Sequence, residues 1–298
     1  ANADNGYWIT ITKAITGSPE GLVKDYGAGN QYMGLGFAPD SGSQTLGVII
    51  NPTDRTPGGP DKAGVRLGGS TTGNSATRIY YEGGNKYGTV YKSGTGTWTV
   101  DGDINTGTYR HELGTLTCNG TIKADYAGFA FTAGTLAGNC TLTRNDRRGN
   151  ISFPGTFVVA PGTNSVGAMT VAWGSSGGPN SNQQWLQFLD GSILEWDVGL
   201  STNDVIHIVD GKVDPDNFVL RILDAGGTPG VKDQLPVFTY DAGVTVDMTG
   251  FSNTVANFDT TDVPDWAGGP LALTNNGIDT IYLTGLNAPP EGMLLIVR

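Results

Sequence analysis

Gly94-Thr95-Gly96-Thr97-Trp98-Thr99 returns as Gly114-Thr115-Leu116-Thr117, again as Gly134-Thr135-Leu136, and once more as Gly155-Thr156-Phe157-Val158. The Gly-Thr pairs stand 20, 20 and 21 residues apart. After each pair the residues alternate, and a small polar cluster follows, such as Asn119-Gly120, Gly138-Asn139 or Pro161-Gly162. Alternation is the signature of a strand, and Gly and Asn tolerate the left-handed backbone at which a chain changes direction. A period near 20 is too short for a propeller blade or a helical repeat, but it suits one turn of a parallel β-solenoid, in which each strand pairs with its counterpart one turn on. The sequence therefore predicts an all-β fold: a right-handed parallel β-helix, with Leu116, Leu136 and Phe157 stacked inward. The competing architecture, a β-sandwich, would need more Asn-Gly or Asp-Gly hairpin signals between alternating runs than are present.

Working outward, three regions separate. Residues 1–88 read as an irregular N-terminal β region, with Gly/Pro-rich tracts such as Thr56-Pro57-Gly58-Gly59-Pro60 and short strands such as Tyr7-Trp8-Ile9-Thr10-Ile11. Residues 89–175 hold the repeat. After the polar break Ser175-Ser176-Gly177-Gly178-Pro179-Asn180, residues 176–298 carry longer apolar strands, among them Ser192–Val198, Val205–Val209 and Phe218–Leu223. A solenoid can run through all three.

Composition narrows the class. The 298 residues include 47 Gly and 15 Pro but only 15% charged residues, and no window has helical spacing of strong helix formers. Six Trp, 11 Tyr and 10 Phe argue against disorder. A net charge of −11 makes nucleic acid a poor partner, because phosphate binding needs clustered Lys and Arg. The one basic knot, Arg144 with Arg147 and Arg148, is interrupted by Asp146 and reads as a solvated loop. No apolar run is long enough to span a bilayer. The chain starts Ala1-Asn2-Ala3-Asp4 without Met, which reads as a mature exported protein, secreted and extracellular or on a cell surface.

Cys118 and Cys140, the two cysteines, lie 22 residues apart, close to one repeat. A disulfide joining neighbouring turns is the preferred reading, with two buried thiols as the alternative. Without a CxxC or a paired His they do not suggest zinc.

The stretch from about 89 to 285 resembles the autotransporter-associated β-strand repeat family, in particular its versions in secreted planctomycete and verrucomicrobial surface proteins. The resemblance is carried by Lys92–Val100, by Leu113-Gly114-Thr115-Leu116, by Val159–Val171 (VAPGTNSVGAMTV), by Gly191–Gly199 (GSILEWDVG) and by Asn203–Ile208 (NDVIHI). It implies a parallel β-helix, export, a surface role and no catalytic residues. Residues 1–88 fall outside it.

Candidate sites are few. Parallel β-helices also house polysaccharide-cleaving enzymes, whose sites need convergent carboxylates. The densest acidic stretch is Asp204, Asp210, Asp214, Asp216 and Asp224. Within it Asp210, Asp214 and Asp216 are weak calcium candidates, lacking the full EF-hand spacing and its bidentate Glu. Acidic turns are common in any chain this acidic, so no metal and no cofactor is expected. His111 and His207 are the two histidines, and His207 sits within an alternating apolar strand, as a packed or solvent-facing residue would. No Gly-x-Ser-x-Gly elbow, P-loop or HExxH occurs, so the chain is not expected to be an enzyme. Asn119, Asn139 and Asn150 each begin an Asn-x-Ser/Thr triplet, about as often as chance supplies.

The ends carry the functional expectation. A solenoid leaves unpaired backbone groups on its first and last strands. Met293-Leu294-Leu295-Ile296-Val297 is apolar and uncharged and follows Pro289-Pro290 on a stiff, extended arm. It reads as a strand that either folds back or is donated to a neighbour. Tyr7, Ile9 and Ile11 supply the second assembly strand. The leading expectation is an extracellular structural protein that self-assembles, with itself as partner, into a filament or surface layer. Its rival is a monomeric glycan-binding adhesin or stalk module, and a polysaccharide-cleaving β-helix comes last.

Overall fold

A computed structural model describes residues 7–13, 22–23, 33–51, 64–81, 88–145, 149–162, 165–174, 184–199, 202–226, 234–264 and 266–286. Among them the chain is all β-structure, relieved by one 3-10 turn at Val255–Asn257. One long sheet of 22 strands dominates, parallel except at its C-terminal end, and a second parallel sheet has four strands.

The pairing explains the 20-residue period. Thr115–Cys118 lies in register on Thr97–Val100, Gly134–Gly138 lies on Thr115–Cys118, and Phe157–Pro161, Ile193–Val198 and Val219–Asp224 follow in turn. A neighbouring column runs Ile104–Thr106, Ile122–Ala124, Leu142–Arg144, Val171–Trp173 and on to Ile208 and Tyr240. Another begins at Tyr7–Lys13 and passes through Met33–Ser41, Gly64–Leu67 and Thr89–Lys92 to Thr108–His111 and Gly128–Phe131. Each passage of the chain visits the columns in order and returns parallel to itself. The ladder extends into residues 33–81, where the sequence carries no Gly-Thr repeat: four strands there pair in register without it.

The repeating glycine is a turn residue. Gly94, Gly114 and Gly134 have φ of 75°, 75° and 107°, the left-handed region. They also stack: a Cβ on Gly114 would lie 2.3 Å from the Gly94 carbonyl oxygen, and one on Gly134 would lie 2.3 Å from that of Gly114. Backbone conformation and close approach both demand glycine there. Gly155 breaks the series. Its strand pairs Phe157 with Gly134, so the structural partner of Leu116 and Leu136 is Val159 rather than the expected Phe157. Phe157 is buried two positions earlier, against His111 and Phe131.

Inward positions fill one continuous core. Trp98, Leu116, Leu136, Val159, Leu194 and Leu220 stack along one column, and Ile104, Ile122, Leu142, Val171 and Ile208 along the next, none with more than trace exposure. A phenylalanine spine threads between them: Phe131, Phe153, Phe188, Phe218 and Phe251, with neighbouring ring centroids 4.8–5.2 Å apart. Each such side chain contributes about 1.5–3 kcal/mol on burial. Every turn borrows half its core from its neighbours, so no single turn is stable alone.

The two ends differ. Tyr7–Lys13 pairs only with Met33–Ser41 among the described residues. At the C-terminal end Thr280–Leu286 runs antiparallel between Leu235–Tyr240 and Ala267–Asn275. The Asn253 side chain then covers both backbone groups of Leu273, accepting from its N–H at 2.7 Å and donating to its carbonyl at 3.4 Å. The Met293–Val297 segment lies outside the described residues. No helix among the described residues is long and apolar enough to cross a membrane.

Candidate functional site

A groove of about 320 Å³ lies on the outer face of one column. Its floor comes from successive strands in register. Thr97, Thr115 and Thr135 form one row, and Thr117, Ala137 and Ala160 form the next. The two alanines leave the space. Glu195, Asp197, Asp204 and Leu223 close one side, and Pro161 and Gly162 add to the wall. Among the described residues no hydrogen bond engages the hydroxyl of Thr97, Thr115, Thr117 or Thr135, although Thr117 is only 6% exposed.

The acids play different parts. Arg221 donates through Nη1 to Glu195 at 2.8 Å and through Nε to Asp259 at 3.0 Å, a three-strand ion ladder that begins on the strand after Ala160. Asp204 is buried, and both its oxygens are taken by backbone N–H groups, of Gly167 at 2.6 Å and of Asp197 at 3.0 Å. Burial pushes its pKa up to about 8 against those two donors, and the neighbouring Asp197 charge adds to the rise. A protonated carboxyl beside an ionised one is the pairing used in glycosidic hydrolysis. Here, however, the oxygens of Asp204 serve the scaffold, and its carbonyl accepts from Trp196 Nε1 at 2.6 Å. It positions the end of the Ile193–Val198 strand. Asp197 is half-buried and its carboxylate has no partner among the described residues; partial burial, then Glu195, raise its pKa.

No family model, curated protein or solved structure matches this chain.

Cys118 and Cys140 correct the expectation of a disulfide. They lie close together in the core, but both are free thiols. Burial pushes the Cys140 thiol up and away from its reactive form.

The calcium candidates do not converge. Asp210 accepts from the Trp173 N–H at 2.7 Å on the neighbouring turn. Asp214 accepts from Gln187 Nε2 at 3.2 Å, and Asp216 from the Asn217 N–H at 2.9 Å. Each carboxylate holds a turn or a strand row, and no set of three His, Cys, Asp or Glu among the described residues is placed to hold a metal ion.

His207 faces outward, its Nδ1 3.0 Å from Thr239 Oγ1 and its Nε2 3.4 Å from Asp241. Hydroxyl, imidazole and carboxylate thus lie in line across two strands. The set sits on an open sheet face with Asp241 53% exposed, where it ties rows together.

A buried polar network was invisible in the sequence. Lys92, His111 and Tyr109 are all buried in the core. His111 Nε2 lies 2.9 Å from the Gly114 carbonyl, which can only accept, so Nε2 carries the proton and Nδ1 accepts from the Tyr109 hydroxyl at 3.1 Å. Lys92 donates to the carbonyls of Ser93, Gly94 and Leu113. The network clamps the Gly94 and Gly114 turns. Its only sequence signal is a polar residue at the inward position that Leu67 and Phe131 occupy in the same column.

Proposed function

We propose that the chain is an exported structural protein: a right-handed parallel β-helix rod that associates with further copies of itself through its N-terminal edge. The observation that carries this reading is the one-sided pairing of Tyr7–Lys13, which leaves a strand edge without a partner among the described residues. Such an edge templates the addition of another strand. The opposite end favours a polarity, because the antiparallel pair and Asn253 blunt the corresponding edge there. Residues 293–297 are the proposed donor strand, held on the Pro289-Pro290 arm. The motif resemblance to autotransporter-associated repeats and the acidic, Gly- and Thr-rich composition support a surface location.

Consecutive residues of a strand send their N–H groups to opposite sides. Thr10→Pro and Ile11→Pro therefore separate two roles: one removes a bond to Met33–Ser41, the other a bond to an added strand. Under this proposal one of the two variants folds with unchanged thermal stability yet fails to form fibres or sheets in negative-stain electron microscopy. Normal assembly by both variants, and by a chain lacking residues 293–298, rules the proposal out.

A further inference from the structure

The groove over Thr117 has the features of a ligand site, and these do not depend on self-association. Strands in a sheet are about 4.8 Å apart, so the six contributing strands give a channel about 24 Å long. Along it the threonine hydroxyls repeat once per strand on the Thr97–Thr115–Thr135 row, with Thr117 beside them. Thr117 is a residue more than nine-tenths buried whose hydroxyl has no hydrogen-bond partner among the described residues and opens into the groove, where a bound group can satisfy it. At the far end stands the half-buried carboxylate of Asp197, also without a partner among the described residues, whereas Glu195 is already held by Arg221.

Each feature restricts the ligand. Length and straightness select an extended chain. Regularly spaced hydroxyls with room above Ala137 and Ala160 suit a polyhydroxylated backbone that exchanges hydrogen bonds at each unit. A lone carboxylate in partial shelter selects a cation that also donates hydrogen bonds. We infer that this groove binds a linear oligosaccharide bearing free amino groups, its hydroxyls on the threonine rows and one ammonium on Asp197. A neutral glycan would leave Asp197 desolvated and unpaired. A cationic peptide would leave the threonine row unused.

The test is calorimetric titration of the full-length protein with a β-1,4-linked glucosamine hexamer, with its fully N-acetylated counterpart and hexalysine as comparisons. The glucosamine hexamer should bind saturably, and the other two at least about tenfold more weakly, as loss of a charge-assisted hydrogen bond or of the hydroxyl contacts requires. Asp197→Asn should weaken binding about tenfold, and Thr117→Val about two- to tenfold. Ala160→Phe, which fills the channel from an outward-facing position, should abolish it. Urea midpoints of the three variants, compared with the parent, show whether each remains folded; the Asp197→Asn result suffices if Ala160→Phe does not fold. Absence of saturable binding overturns the inference, as does undiminished binding to folded Asp197→Asn protein. Equal affinity for hexalysine or for the acetylated hexamer overturns the assignment of ligand class.

Discussion

Lys92 and His111 are register partners on adjoining parallel strands, and both side chains are fully buried. Among the described residues no carboxylate hydrogen-bonds to the pair; carbonyl oxygens hold the ammonium, and the tyrosine hydroxyl and one carbonyl hold the ring. Burial drives both groups toward neutrality, Lys92 down to about 8 and His111 down to about 3, with the Lys92 charge adding to the fall at His111.

This gives a pH dependence with a definite sign. Lys92 titrates at its ordinary 10.5 in the unfolded chain and at about 8 in the fold. Between these values the unfolded state keeps a proton that the folded state has released, so stability rises with pH, by at most about 3 kcal/mol. The Tyr109 hydroxyl, raised by burial, opposes this only above about pH 10. Urea unfolding at a series of pH values should show the rise, and Lys92→Met should flatten it. The same variant orphans three carbonyls, so at pH 7 it should be the less stable protein despite losing a buried charge.

Asp204 has the opposite sign. Its pKa rises from 3.8 to about 8 on folding, so the stabilisation is complete below 3.8 and is lost as pH climbs through 8. The slope from this group approaches about 1.4 kcal/mol per pH unit inside that window. Asp204→Asn should remove most of it, measured by the pH dependence of the thermal midpoint.

The two thiols should be silent. Cys118 and Cys140 should not react with an aromatic disulfide reagent in the native protein, and two equivalents should react in urea. Native reactivity of either would mean that the core opens locally at this turn.

Two glycines should answer differently to alanine. Gly114→Ala meets the Gly94 carbonyl at 2.3 Å and Lys92 Nζ at 2.5 Å as well as a φ of 75°, and the turn cannot shift without its neighbours. Loss of about 3 kcal/mol or more is expected. Gly243→Ala has a φ of 98° but nothing within 4 Å, so only the backbone penalty of about 1–2 kcal/mol should appear. Equal losses in chemical denaturation would show that conformation alone, and not stacking, selects glycine.

Phe188→Ala should cost about 3–5 kcal/mol, because its ring bridges Phe153, Phe218 and Phe238 in the spine. A two-state unfolding curve that merely shifts would mean that the turns unfold together.

The Gly-Thr spacing and the alternation that follows it were enough to predict parallel β-structure, because a turn glycine and an inward side chain are local requirements repeated every passage of the chain. The same local logic placed Leu116, Leu136 and Phe157 in the core. It missed the register of Phe157, where the passage lengthens and the pairing moves by two residues, a shift that only pairing with Gly134 determines. Residues 33–81 read only as an irregular β region because their strands keep the register without repeating the motif. The two cysteines faced the same interior, as their spacing suggested, but whether the sulfurs bond depends on three-dimensional placement that spacing does not contain. The groove was illegible for the same reason. Thr117, Ala137, Ala160 and Asp197 are unremarkable residues scattered over 81 positions, and parallel stacking alone sets them side by side on one face. Periodicity along a chain reports what each turn must bury; what the turns jointly expose is decided by register.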